Sequence, residues 1–180
     1  MSAPGTSASA TLVLGGQRSG KSAYAEALVE ARPGDCVYLA TAQAHDSEMA
    51  RRIAEHQARR GSRWSTVEEP LDLPGALAEA AGPGRTVLVD CLTLWLSNLL
   101  GHERDVAAER TRLCDALAGL RGPAVLVSNE VGQGVIPDNK LARIFVDESG
   151  RLHQAVAATA GRVVFVTAGL PQTLKDTTAT

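Results

Sequence analysis

Gly15-Gly16-Gln17-Arg18-Ser19-Gly20-Lys21-Ser22 satisfies every fixed position of the phosphate-loop pattern G-x-x-x-x-G-K-[ST]. That pattern works in one local context. A strand must deliver the chain to a tight glycine turn, and a helix must start where the turn ends. Backbone N–H groups and the helix dipole then converge on an anion. Both flanks are present. Thr11-Leu12-Val13-Leu14 is a short apolar run suited to a buried strand, and Ala23-Tyr24-Ala25-Glu26-Ala27-Leu28-Val29 is rich in helix formers. In such a loop Lys21 reaches the β- and γ-phosphates of a nucleoside triphosphate, and the Ser22 hydroxyl helps to hold Mg²⁺. The chain is expected to bind a nucleoside triphosphate.

The remaining sequence agrees with an α/β fold. Strand-like runs at 11–15, 36–40, 86–90, 123–128 and 162–167 alternate with helix-like stretches at 21–31, 46–60, 72–81, 92–100, 104–120 and 138–160. This alternation predicts βαβ units, hence a mostly parallel central sheet flanked by helices. A length of 180 residues suits one such domain, placed here at 11–180. Residues 1–10 are small and uncharged; they are expected to form a disordered tail and do not resemble a signal peptide. Parallel sheets gather ligands at the carboxyl ends of their strands. The informative segments are therefore Thr41-Ala42-Gln43, Asp90, Ser128-Asn129-Glu130-Val131-Gly132 and Ala168-Gly169-Leu170-Pro171.

Composition narrows the function classes. A net charge of −2 gives no global attraction to nucleic acid or to an anionic membrane. With aromatics at only 3%, Trp64 and Trp95 read as packing residues rather than base-stacking platforms. Cys36, Cys91 and Cys114 lack metal-ligand spacing and read as reduced, mostly buried thiols of a cytoplasmic protein. The longest apolar run, 86–100, contains Asp90 and Asn98 and is too short to span a bilayer.

Several side chains are candidates for chemistry. Asp90 ends Val87-Leu88-Val89, where a carboxylate either holds Mg²⁺ opposite Ser22 or caps the following helix. Glu130, at the end of another apolar strand, is a second candidate for metal or water positioning. On a helix over 46–60, Met49, Ile53, His56 and Arg60 form one stripe, with Arg52, Arg59 and Arg60 around the imidazole. Nearby cations disfavour imidazolium, and a neutral ring nitrogen is a competent nucleophile. Spacing alone fits a solvated basic face at least as well. His45, His102 and His153 show no zinc-ligand rhythm, and without a G-x-S-x-G elbow no Ser/His/Asp triad is placed. These residues leave open a simple phosphate-loop kinase and a nucleotide-dependent regulatory module.

Taken in order, the motifs resemble the bifunctional adenosylcobinamide kinase/adenosylcobinamide-phosphate guanylyltransferases. They are the phosphate loop, Tyr38-Leu39-Ala40-Thr41-Ala42-Gln43, Glu48-Met49-Ala50-Arg51-Arg52-Ile53 leading to His56, and Trp64 to Pro70. Val87 to Thr93 follows, then Ser128-Asn129-Glu130-Val131-Gly132 with Ile136-Pro137 and Asn139, and Gly150-Arg151-Leu152-His153-Gln154. The resemblance runs from about residue 11 to 175. It implies a RecA-like phosphate-loop fold, a trimer, and two reactions of cobalamin biosynthesis. Adenosylcobinamide would be phosphorylated by ATP or GTP, and GMP from GTP would then pass to the new phosphate. It further implies that His56 carries GMP covalently and that Glu68 and Asp90 serve nucleotide and Mg²⁺. Thr41, Ala42 and Gln43 would contact nucleotide, and Arg59, Arg60, Gly61 and Ser62 would lie near the guanine nucleotide. His45 and the N-terminal tail depart from the family pattern.

Overall fold

A computed structural model describes residues 7–42 and 61–177. In chain order the elements are β1 (Ser7–Gly15), α1 (Lys21–Glu30), β2 (Asp35–Ala40), β3 (Trp64–Glu68), α2 (Leu73–Ala80) and β4 (Arg85–Asp90). They continue with α3 (Leu92–Gly101), α4 (Val106–Ala118), β5 (Ala124–Asn129), α5 (Lys140–Thr159), β6 (Ala160–Thr167) and β7 (Leu170–Asp176). The strands make one seven-stranded sheet in the order β3-β2-β4-β5-β1-β6-β7. All neighbours run parallel except β6 and β7. Five helices flank the sheet among the described residues.

The inner strands are apolar on both faces, as sheets covered on both sides require. On one face Leu12, Leu14, Val87, Val89 and Leu126 pack against Trp95, Leu96, Leu113, Leu117, Leu152 and Val156 from α3, α4 and α5. On the other, Val13, Leu88, Val125, Val127, Val164 and Val166 meet Ala25 and Val29 of α1. Trp95 is a packing residue: its ring is buried and its indole N–H donates to Leu71 O at 2.9 Å. Side chains at helix starts accept from backbone N–H groups in three places: Asp72 from Gly75, Asp105 from Ala108 and Asn139 from Ala142. Cys36 and Cys91 are buried, Cys114 is half-buried, and none forms a disulfide.

The structure departs from the sequence reading at the start of β1 and at both edges of the sheet. β1 begins at Ser7, so the expected disordered tail does not extend over residues 7–10; Ala10 is buried beside Ala124. Backbone pairing holds this segment, and its small side chains give no apolar signal. β3 and β7 were not expected as strands. Both are edges: nearly all of their residues are exposed, and β7 carries Pro171. A strand without a buried face has no period-2 pattern to read, and an edge tolerates proline. The apolar run 86–100 divides into β4 and all but the last residue of α3, and no helix among the described residues is long and apolar enough to cross a membrane.

Candidate nucleotide site

β1 carries the chain to Gly15, which lies between Asn129 of β5 and Val166 of β6. The loop then turns through left-handed backbone at Arg18 (φ 55°) and Gly20 (φ 95°). A Cβ on Gly15 would lie 2.5 Å from Ser19 Oγ and 2.6 Å from Val166 O, so the loop closes only over a bare Cα. The β6–β7 turn braces it from outside, where Gly169 N–H donates to Ser19 O at 2.8 Å. α1 starts at once, with Gly20 as N-cap, no side-chain cap and no acid in its first turn. Its first N–H groups and the positive end of its dipole are therefore left for an anion.

Lys21 heads that helix. It is only 8% exposed, and its Nζ donates to Gly16 O at 3.2 Å. Burial pulls its pKa below the usual lysine value, and the nearby Cys91 and Asp90 push the other way. A partly desolvated ammonium gains strongly from an arriving polyphosphate. Asp90, at the end of β4, accepts from Tyr38 Oη at 3.2 Å, while Cys91 rather than Asp90 is the N-cap residue of α3. Burial pushes the Cys91 thiol up to about 11; it is no thiolate nucleophile at neutral pH.

Two buried polar atoms in this region find no partner among the described residues, Ser19 Oγ and Asn129 Oδ1. Asn129 sits beside Gly15 in register, and its amide nitrogen donates to Thr93 Oγ1 at 3.1 Å. Orphan polar atoms of this kind call for an explanation, and here they border the anion site. Thr41 is fully buried. Its hydroxyl donates to Cys91 O at 2.7 Å and accepts from Cys91 N–H at 3.0 Å. That hydroxyl latches the end of β2 to the end of β4, and the Thr41 carbonyl accepts from Asn98 Nδ2 at 2.8 Å.

The structure brings Gly15 to Ser22, Thr41, Ala42, Glu68 and Asp90 to one edge, the carboxyl edge of the sheet. They are spread along it. Asp90 stands two strands from β1 and Glu68 four, roughly 10 and 19 Å at about 4.8 Å per strand. Gly61 and Ser62 are not brought there. β3 runs parallel to β2, so the residues that precede it lie at the amino edge, lining a cavity of about 260 Å³ with Glu30, Cys36, Arg63 and Trp64. Gln43, His56, Arg59 and Arg60 lie outside the described residues. Sequence reasoning gave no role to Tyr38, Thr93 and Asn129, and it did not connect Ser128, Glu130 and His153. Their partners are 23 to 52 residues away in the chain, and no local pattern marks them.

Comparison with known proteins places this geometry. The family described as "Cobinamide kinase / cobinamide phosphate guanyltransferase" matches residues 11–174. The chain is 53% identical over 166 residues to the bifunctional adenosylcobalamin biosynthesis protein CobP of Pseudomonas aeruginosa, covering 91% of this chain and 96% of that protein. It is 40% identical over 179 residues to the Salmonella typhimurium protein named CobU, covering 91% and 98%, and 38% identical over the same length to its Escherichia coli namesake. Among solved structures it is similar to the RadB recombinase, with a TM-score of 0.54, 16% identity, and coverage of 88% of this chain and 74% of that one. At that identity the likeness shows the fold alone, a RecA-like phosphate-loop domain. The phosphate loop, the sheet order and these relatives agree: the chain belongs to the cobinamide kinase/cobinamide phosphate guanyltransferase family and is a bifunctional enzyme of adenosylcobalamin biosynthesis.

Proposed function

We propose that this enzyme phosphorylates the primary alcohol of adenosylcobinamide with ATP or GTP at the phosphate loop. It then passes GMP from GTP to the new phosphate through His56, giving adenosyl-GDP-cobinamide. The observation that carries this reading is the bare N-terminus of α1 with buried Lys21 beside it, in a chain of this family. In the first step the alcohol oxygen bonds to the γ-phosphorus and the nucleoside diphosphate leaves. In the second, a neutral His56 nitrogen bonds to the α-phosphorus of GTP and pyrophosphate leaves. The cobinamide phosphate oxygen then displaces histidine from that phosphorus. Dividing guanylyl transfer in this way replaces one hard displacement with two easier ones.

The protein's part is positioning and charge neutralisation. Residues Gly15 to Gly20 cradle phosphate oxygens with backbone N–H groups, and Lys21 carries the positive charge. The Ser22 hydroxyl and the Asp90 carboxylate are hard oxygen donors that suit Mg²⁺, which would neutralise charge on the phosphates. Thr41, held by Cys91, contacts the nucleotide together with Ala42 and Gln43; Glu68 serves the far end of the same edge. Arg59 and Arg60 contribute to the guanine nucleotide site, whereas Gly61 and Ser62, at the opposite edge of the sheet, take no part in it. The working form is a cytoplasmic homotrimer, by resemblance to the family.

The test is stepwise turnover. Purified enzyme with adenosylcobinamide, Mg²⁺ and ATP should yield a product heavier by one phosphate, and later addition of GTP should convert it to the GDP adduct, both read by chromatography and mass. A corrinoid that stays unmodified under both conditions contradicts the reading.

A further inference from the structure

The three residues left over from the site form a chain of contacts of their own. Ser128 lies near the end of β5, fully buried, and its Oγ is 2.7 Å from His153 Nε2. His153 belongs to the buried stripe Ser149, Leu152, His153 and Val156 of α5, and its other ring nitrogen, Nδ1, is 3.6 Å from Glu130 Oε2. Glu130 in turn is fixed at two further points. Its backbone N–H donates to Gly15 O at 2.9 Å, and its Oε1 accepts from Gly132 N–H at 2.6 Å. The imidazole therefore has a definite orientation: Nε2 toward the serine hydroxyl, Nδ1 toward the carboxylate.

Ser–His–carboxylate contacts usually suggest nucleophilic catalysis. Here the serine is sealed between sheet and helix, so it has no access to a substrate. The accessible end is the carboxylate, whose side chain keeps 21% of its surface. Of Glu68, Asp90 and Glu130 at this edge, Glu130 is also nearest to the loop. It is attached to Gly15 itself and follows β5, one strand from β1, whereas Asp90 ends a strand two away and Glu68 one four away.

We propose that Glu130 is the proton acceptor for the acceptor alcohol in the kinase step, and that His153, anchored by Ser128, is its positioning residue. This rests on the kinase reading above. As the alcohol oxygen bonds to the γ-phosphorus and the bond to the leaving diphosphate breaks, the hydroxyl proton passes to Glu130 Oε2. It returns to solvent once the nucleoside diphosphate has left. His153 does not touch the substrate; its Nδ1–H aims the carboxylate.

Two amide substitutions separate this role from simple packing. His153→Asn keeps a donor near the Nδ1 position, toward Glu130, but loses the reach to Ser128. His153→Gln does the reverse. Adenosylcobinamide phosphorylation and GMP labelling from α-labelled GTP are measured on the same preparations. Glu130→Gln should lower kcat for phosphorylation by about 100-fold or more, the usual scale for a general base. H153Q should lower it by roughly tenfold with KM for ATP unchanged, and H153N should recover most of that loss. GMP labelling should stay within about twofold of wild type in both His153 variants, because that step has no alcohol to deprotonate. Equal losses in H153N and H153Q, or a better H153Q, assign the histidine to packing and overturn its positioning role. A Glu130→Gln enzyme that phosphorylates at the wild-type rate overturns the whole proposal, and this arm stands alone if the His153 variants do not fold. Wild-type enzyme that phosphorylates no cobinamide contradicts the kinase reading itself, and this proposal with it.

Discussion

At the scale of single residues, the phosphate loop is a steric solution before it is a chemical one. Gly15→Ala would set a methyl 2.5 Å from Ser19 Oγ and 2.6 Å from a backbone carbonyl, and a carbonyl in a strand cannot yield. The variant should unfold about 1–3 kcal/mol more easily, as overpacked sites do, and should lose nucleotide binding; thermal melting and nucleotide titration check both. Lys21→Ala removes the buried cation, and kcat for phosphorylation should fall by about 100-fold or more, while melting of the nucleotide-free protein should hardly change. His153 gives a pH dependence. Burial holds its folded pKa below the value in the unfolded chain, with Glu130 opposing. The unfolded chain thus takes up the proton more readily, so this contribution to stability is complete above the unfolded pKa, about 6.5, and is lost as pH falls below it. The urea midpoint should drop from pH 7 to pH 5, and His153→Asn should show a smaller drop; equal drops contradict the assignment. The places of Lys21 and Ser22 at a helix start and of Asp90 at a strand end were legible in the sequence, because both patterns fix their neighbours along the chain. Thr41 was legible as the residue after a strand but not as a latch, since its partner Cys91 is 50 residues away.

At the scale of elements, the site is held by how strand ends are tied to one another. Thr41 joins β2 to β4, Asn98 ties α3 to Thr41 and Pro70, and Asn129 ties β5 to Thr93. Thr41→Val keeps the shape but leaves the Cys91 N–H without its acceptor in a buried place. The cost should be about 1–3 kcal/mol, seen as a fall in Tm of roughly 5 °C for a chain of this size. Because Asp90 precedes Cys91, the apparent affinity for Mg²⁺-nucleotide should weaken as well. Unchanged Tm and affinity would show that the latch holds nothing. Five inner strands were readable as apolar runs because both faces of the sheet are covered. The edges β3 and β7 were not, because exposed strands carry no such signal. The position of Gly61 and Ser62 at the far edge follows from the parallel pairing of β3 with β2, which a linear motif does not contain.

At the scale of the whole molecule, the family's two reactions act on two phosphorus centres in succession. The described residues place, on one sheet edge, Lys21 and Ser22 at the bare start of α1 and Asp90 at the end of β4, the arrangement on which the proposed triphosphate cradle rests. Glu68, roughly 19 Å along the same edge, extends the surface beyond what one triphosphate chain needs. The family resemblance predicts a trimer, and light scattering should return three times the protomer mass of 18.8 kDa; a monomer at working concentration would contradict it. The claim that joins the two reactions is the covalent guanylyl histidine. It is tested by incubating wild type and His56→Ala with Mg²⁺ and GTP labelled at the α-phosphate, then locating the label by peptide mapping. The account predicts one acid-labile, base-stable GMP per labelled chain, on the peptide carrying His56, and no label on the variant. A wild-type enzyme that makes the GDP adduct without ever carrying label, or a His56→Ala enzyme that labels normally, would contradict it.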